Sequence, residues 1–196
     1  GHPFPVPGAH AARPGCGRGG GLNAFSLTYT YGDLKIAPTD LANQDQDPLT
    51  GLHTLGTFRK WNYDFKRLNR LTDNLSVLVA LSGQQASKNL ASAEKMSLGG
   101  PNGVRAYPVG EANGDTGNLV QSELRYIWPG FKLFEGDVTV MAHYDWGQVR
   151  VNQKPLSTET KNKRSIAGYG VGGQVGREGE FIVRASASWR WGDEQP

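Results

Sequence analysis

Phe181-Ile182-Val183-Arg184-Ala185-Ser186-Ala187-Ser188-Trp189-Arg190-Trp191 alternates from Val183 to its end. Phe181, Val183, Ala185, Ala187, Trp189 and Trp191 fall on one side of an extended chain, and Arg184, Ser186, Ser188 and Arg190 on the other, because successive side chains of a strand point to opposite faces. The run matches the ~9–11 residues that a tilted membrane strand needs and exceeds the ~5–6 typical of soluble strands.

The same period of two recurs upstream. Expected strands are Leu22–Ile36, Phe58–Leu71, Leu75–Ser87, Asn118–Trp128, Asp137–Val151 and Arg164–Val175, which with Phe181–Trp191 makes seven. Phe25, Leu27, Tyr29 and Tyr31 share one face of the first; Trp61, Tyr63 and Phe65 alternate with Lys60, Asn62, Asp64 and Lys66 in the second. Connections alternate in length. Segments 37–57, 88–117 and 152–163 are long, whereas 72–74, 129–136 (with Pro129-Gly130 as the turn signal) and 176–180 are short. Long loops on one side and short turns on the other is the outer-membrane barrel pattern. A soluble β-sandwich with long hairpins meets the same alternation, so both stay open at this level.

Composition narrows the classes. The 196 residues carry 20% charged side chains and a formal net charge of +3, with the basic residues scattered, so no nucleic-acid footprint is present. The longest aliphatic run is Val77–Leu81, far short of the ~20 residues of a membrane helix. The negative mean hydropathy of −0.50 does not count against a barrel, whose strands average lipid-facing and lumen-facing residues. Twenty-seven glycines and 10% aromatics suit strands, turns and an aromatic girdle. The single cysteine, Cys16, forms no internal disulfide. Residues 1–20, rich in Gly, Pro, Ala and Arg, lack an apolar period and are expected to be disordered or foreign to the domain, which is placed at 21–196. No signal peptide is readable, and the chain is expected to be incomplete at its start.

Motifs of catalysis and cofactor binding give little. Gly168-Tyr169-Gly170-Val171-Gly172-Gly173 satisfies a dinucleotide fingerprint, but Gln-Val-Gly-Arg-Glu-Gly follows and opens no helix. A glycine-rich strand making room for a lumenal loop is the better account. Asp40, Asp45 and Asp47 lie in a polar loop without calcium-loop spacing. His2, His10, His53 and His143 form no metal pair, and no nucleophile elbow or catalytic carboxylate pair is present. Neither a catalytic residue, a metal nor a cofactor is expected.

The informative loop is Ser97-Leu98-Gly99-Gly100-Pro101-Asn102-Gly103-Val104-Arg105-Ala106-Tyr107-Pro108-Val109-Gly110-Glu111-Ala112-Asn113-Gly114-Asp115. Gly99, Gly100 and Gly103 allow tight folding. Arg105, between Val104 and Tyr107, is carried on a partly buried tip and needs a carboxylate, which Glu123 and Asp145 on the polar faces of the next strands supply.

Leu98-Gly99-Gly100, Val104-Arg105-Ala106-Tyr107 and Gly114-Asp115 resemble the sixth-loop motif of the two-partner secretion transporters, the haemolysin activation/secretion proteins of the ShlB and FhaC type. The strand Val140–Gly147, with Asp145 shortly before Gly147, is similar to that family's next motif. The resemblance covers about residues 21–196, and Ala106 departs from the usual glycine. It implies an outer-membrane, sixteen-stranded, monomeric barrel in lipid, preceded by POTRA domains and a plug helix, of which these would be the ninth to fifteenth strands. It also implies secretion of a large β-helical exoprotein (a haemolysin or adhesin), a loop folded into the lumen, and an Arg105–Asp145 pair. A fragment with two open sheet edges is not expected to insert stably or conduct alone. An assembly factor of the BamA type would use the same barrel for another activity, and a soluble β-sandwich binding module is the third reading.

Overall fold

The computed structural model describes residues 21–156, 161–177 and 179–192. The expectations for residues 1–20, including Cys16, His2 and His10, lie outside the described residues. Among the described residues, seven long strands form one antiparallel sheet in which each lies beside its neighbours in the order that follows. They are β1 (Gly21–Leu34), β2 (Gly56–Arg70), β3 (Leu75–Ala86), β6 (Thr116–Leu133), β7 (Gly136–Arg150), β8 (Lys163–Arg177) and β9 (Phe181–Trp191). Between β3 and β6 a two-residue pair, β4 (Met96–Ser97) with β5 (Asn113–Gly114), closes the neck of the long loop. A sandwich needs two broad sheets packed face to face, and the described residues form only one.

Each strand pairs with its neighbour in sequence, so the register follows the alternation. Phe25 faces Phe65, Leu27 faces Tyr63 and Tyr29 faces Trp61 across β1 and β2. Tyr144, Tyr169 and Trp189 line up across β7, β8 and β9. These residues cover the outer face, where Phe25 is 84% and Trp191 62% exposed. Ring pairs such as Tyr29–Trp61, 4.7 Å between centroids, give it an aromatic surface. On the inner face the same strands present Asp64, Gln84, Glu123, His143, Asp145 and Arg184. Leucines interrupt this polarity: Leu68 and Leu78 pair across β2 and β3 in the inner phase.

Two expectations need correction. Pro129-Gly130 is not the turn. β6 runs on to Leu133 through a register shift between Ile127 and Lys132. A bulge lets an unpaired proline stay within a strand, and the reversal comes at Phe134 and Glu135, both at positive φ (50° and 60°), as a two-residue hairpin turn requires. The segment after β1 is not wholly loop. Thr39–Asp45 forms a short helix, α1, and the Asp45 carboxylate then collects hydrogen bonds from Thr54 N, Thr54 Oγ1 and Leu55 N at 2.7–3.0 Å. Asp47 likewise accepts from Leu49 N and Thr50 N. Both carboxylates are therefore spent on folding their own loop.

Candidate functional site: an arginine on the loop tip held by the sheet

The loop between β4 and β5 folds back onto the inner face of the sheet. Its own backbone shapes it: Val104 N donates to Leu98 O, Tyr107 N to Val104 O and Gly100 N to Tyr107 O. Gly100 sits at φ 103°, a region closed to most side chains, and a Cβ on Gly99 or Gly103 would overlap the carbonyl of Pro108 or Leu98. Gly114 lies flat on β7, where a Cβ would stand 2.5 Å from Arg150 O. The close backbone packing that the loop's glycines allow drives its apolar residues into the sheet. Leu98, Val104, Tyr107 and Ala112 join Leu119, Val149 and Ile166 in a cluster that is the main core among the described residues. Leu98 and Val104 are fully buried, and each such side chain stabilises the docked loop by roughly 1.5–3 kcal/mol.

The wall is cut to receive the loop. A Cβ on Gly147 would come within 2.8 Å of the Leu98 side chain, and one on Gly168 within 2.6 Å of the Ala106 methyl. Gly170 leaves room for the His143 ring, whose Nε2 lies 3.0 Å from Ser188 Oγ. Of the glycines in the 168–173 run, all on strand β8, Gly168 thus lies beneath the loop tip and Gly170 beneath the His143 ring. Ala106 has no positive φ, so the backbone here does not demand glycine.

At the tip, Arg105 grips Asp145 three ways. Nε donates to Oδ2 and Nη2 to Oδ1, each at 2.8 Å, and the Arg105 backbone N–H donates to Oδ2 at 3.1 Å. A planar guanidinium matches a carboxylate in this forked geometry. Nη1 reaches Glu123 Oε2 at 2.5 Å. Asp145 is fully buried and Glu123 is 4% exposed. Burial disfavours the charge on Arg105, but the hydrogen bonds and charges of Asp145 and Glu123 outweigh it and hold the guanidinium above its ordinary range. Gln121 Nε2 donates to Gly103 O, and the Arg190 guanidinium lies 4.9 Å from the Tyr107 ring centroid.

The sequence-predicted residues divide into two groups. Leu98, Val104, Arg105, Ala106 and Tyr107 meet Glu123, Asp145 and the β8 glycines at the tip. Asp115 lies apart, at the root. It is fully buried, accepts from Leu90 N and Gln153 N, and pairs with Lys95 Nζ at 3.2 Å. Lys95 also donates to Val151 O and Asn152 Oδ1, so one buried pair ties three segments together. Beside it, Asn89 bonds Leu52 O and both the N–H and the carbonyl of Lys154. Sequence reasoning missed Lys95, Arg125 and Arg184. Arg125 Nε and Arg184 Nη2 both donate to Glu123, at 2.6 and 2.8 Å. Their only sequence signal is their phase, since each falls on the polar side of its strand. Among the described residues no group of three or more His, Cys, Asp or Glu side chains is placed to hold a metal.

Residues 18–175 match the family described as haemolysin secretion/activation protein ShlB/FhaC/HecB. The chain belongs to this family. Among curated relatives, the heme/hemopexin transporter protein HuxB of Haemophilus influenzae (strain 86-028NP) is 27% identical over 171 residues, 86% of this chain and 29% of that protein. The outer membrane transporter CdiB of Dickeya dadantii (strain 3937) is 31% identical over 141 residues, 71% of this chain and 24% of CdiB. The solved structure of CdiB from Escherichia coli superposes with a TM-score of 0.67 over 88% of this chain and 30% of that one, at 23% identity. Together with the antiparallel sheet, this places the ShlB-type chain in the β-barrel fold class. The chain spans less than a third of the length of these relatives.

Proposed function

We propose that this ShlB-type chain supplies seven strands of an outer-membrane barrel that exports a large exoprotein by two-partner secretion. One observation carries the reading: a loop folded onto the inner face, with its tip arginine forked on Asp145 and braced on Glu123. Such a loop occupies the space a pore would need, and an ion pair with hydrogen-bonded geometry fixes its position while leaving it releasable. The work is transport, not catalysis, and it needs no cofactor.

The relatives are more than three times longer, and among the described residues β1 and β9 each have a neighbour on one side only. Unpaired strand edges do not persist in lipid, so further strands of a longer barrel, sixteen in all, are proposed to cover them. The aromatic outer face meets lipid and the closed barrel works as a monomer. The partner is an exoprotein, which the chain does not identify.

The test is Arg105→Ala in the full-length transporter, with the exoprotein assayed in the medium and the transporter assayed in the outer membrane. Secretion is expected to fall below detection while the barrel remains assembled. Wild-type secretion by that variant would remove the proposed role of the loop.

A further inference from the structure

Glu123 is held by three guanidiniums. Arg105 Nη1 and Arg184 Nη2 share one oxygen, Oε2, at 2.5 and 2.8 Å, while Arg125 Nε takes Oε1 at 2.6 Å. Asp145, by contrast, is held in the described structure by Arg105 through two side-chain bonds and one backbone bond. The two arms of the latch therefore differ. If the loop withdrew, Glu123 would keep two cations, whereas Asp145 would lose its guanidinium partner.

Arg184 is placed to matter in this difference. It stands on β9, and its guanidinium crosses the inner face over β8 and β7 to reach Glu123 on β6. On this face β8 carries Gly170 and Gly172, which have no side chains. A Cβ on Gly172 would meet Met141 Cγ at 3.3 Å, and Met141 Sδ is the second group that Arg184 Nη2 touches, at 2.8 Å. Arg184 borders an open cavity of about 630 Å³ beneath the loop tip, lined also by Arg105, Tyr107, Ser186 and Ser188. Its side chain is 41% exposed, against 15% for Arg105.

We infer that Arg184 is a positioning residue that keeps the latch releasable, weakening the Arg105–Glu123 arm by sharing its oxygen and holding Glu123 when the loop leaves. Two like charges on one carboxylate oxygen repel each other, which destabilises the docked loop. Together with Arg125, the same guanidinium holds Glu123 in the undocked state, which lowers the penalty of leaving that carboxylate without Arg105. Both effects favour release. The inference rests on the reading of residues 98–112 as a loop that transport requires to move.

The Arg105 amide is itself a donor to Asp145, so its hydrogen exchange reports undocking directly. In the full-length transporter in detergent micelles, Arg184→Gln is expected to slow exchange at that amide about two- to fivefold, the range of a half-exposed ion pair. Arg184→Lys is expected to stay near wild type. In a Glu123→Gln background, Arg184→Gln is expected to change nothing. Unchanged or faster exchange in Arg184→Gln, or the same slowing without the Glu123 charge, overturns the inference. Single-channel recording of the same proteins separates the two readings. Altered exchange in a barrel that never conducts would count against the transporter, and normal conductance with unaltered exchange would count against Arg184 alone.

Discussion

Asp145 and Glu123 both hold Arg105, but unequally. Asp145 is buried beneath the loop and takes three hydrogen bonds from Arg105. Removing one partner of a buried pair costs ~3–5 kcal/mol when the site is dry. Asp145→Asn is therefore expected to destabilise loop docking by on the order of 3 kcal/mol, and Glu123→Gln by less than half of that. Limited proteolysis of the 98–112 loop in micelles measures both, and equal sensitivity of the two variants would contradict the asymmetry. The residue types and their phase were legible beforehand: an arginine between apolar neighbours and two inward carboxylates. The fork was not, because it depends on where the tip settles against β7, a contact spanning forty positions of chain.

At the scale of elements, the strands follow from alternation because every β-residue has only two directions in which to point. Their ends were less legible. The sequence around Pro129-Gly130 carries a strong turn signal, yet β6 absorbs it in a register shift and reverses at Phe134-Glu135, which has none of the usual turn residues. The short helix α1 was hidden in a polar loop because its stability comes from bonds that Thr54 and Leu55 of the same loop make to Asp45, not from an apolar stripe. That gives a pH prediction. Burial alone would raise the Asp45 carboxyl, but hydrogen bonds from the Thr54 side chain, the Leu55 and Thr54 backbone and the Gln46 side chain hold it at about 2, below its ordinary 3.8. A carboxylate depressed on folding contributes stability that is fully present above the unfolded value and is lost as pH falls through the folded one. Intrinsic-rate-corrected exchange at the Thr54 and Leu55 amides is expected to rise between about pH 4 and pH 2. Asp45→Asn should show fast exchange throughout and no such transition.

The loop's seat makes a second prediction at this scale. Gly147→Val would drive a side chain into Leu98, which has no exposed surface to yield. Overpacking of this kind costs about 1–3 kcal/mol. The expected outcome is a folded barrel with a displaced loop: unchanged heat-modifiable mobility on gels, but faster protease cleavage within 98–112. Wild-type cleavage would show that the seat is not tight.

For the whole molecule, the two faces of one sheet divide the work. The outer face carries Phe25, Trp61, Trp189 and Trp191 in the open, and large exposed apolar surfaces of this kind mark contact with a partner or lipid. The inner face carries the ion pairs and the only extensive apolar cluster among the described residues, and that cluster exists because the loop lies on it. Residues 21–196 expressed alone are thus expected to aggregate in buffer and to be held as monomers only in detergent or lipid; a stable soluble monomer by light scattering would refute the assignment of the outer face. At this scale composition alone left barrel and sandwich unresolved, since both bury one side of alternating strands. What separated them was physical: one sheet, a loop in place of a second sheet, and aromatics facing outward.

Ala106 and Gly168 tie the history of two positions together. The alanine methyl stands 2.6 Å from where a Gly168 Cβ would be, so the loop and the wall have room for one methyl between them. Substitutions at the two sites are consequently order-dependent. Ala106→Gly first opens the space, after which Gly168→Ala meets Trp189 O at 3.1 Å and Val104 Cγ1 at an ordinary 3.5 Å; taken in the reverse order, the path passes through a chain whose loop has lost its place on the wall.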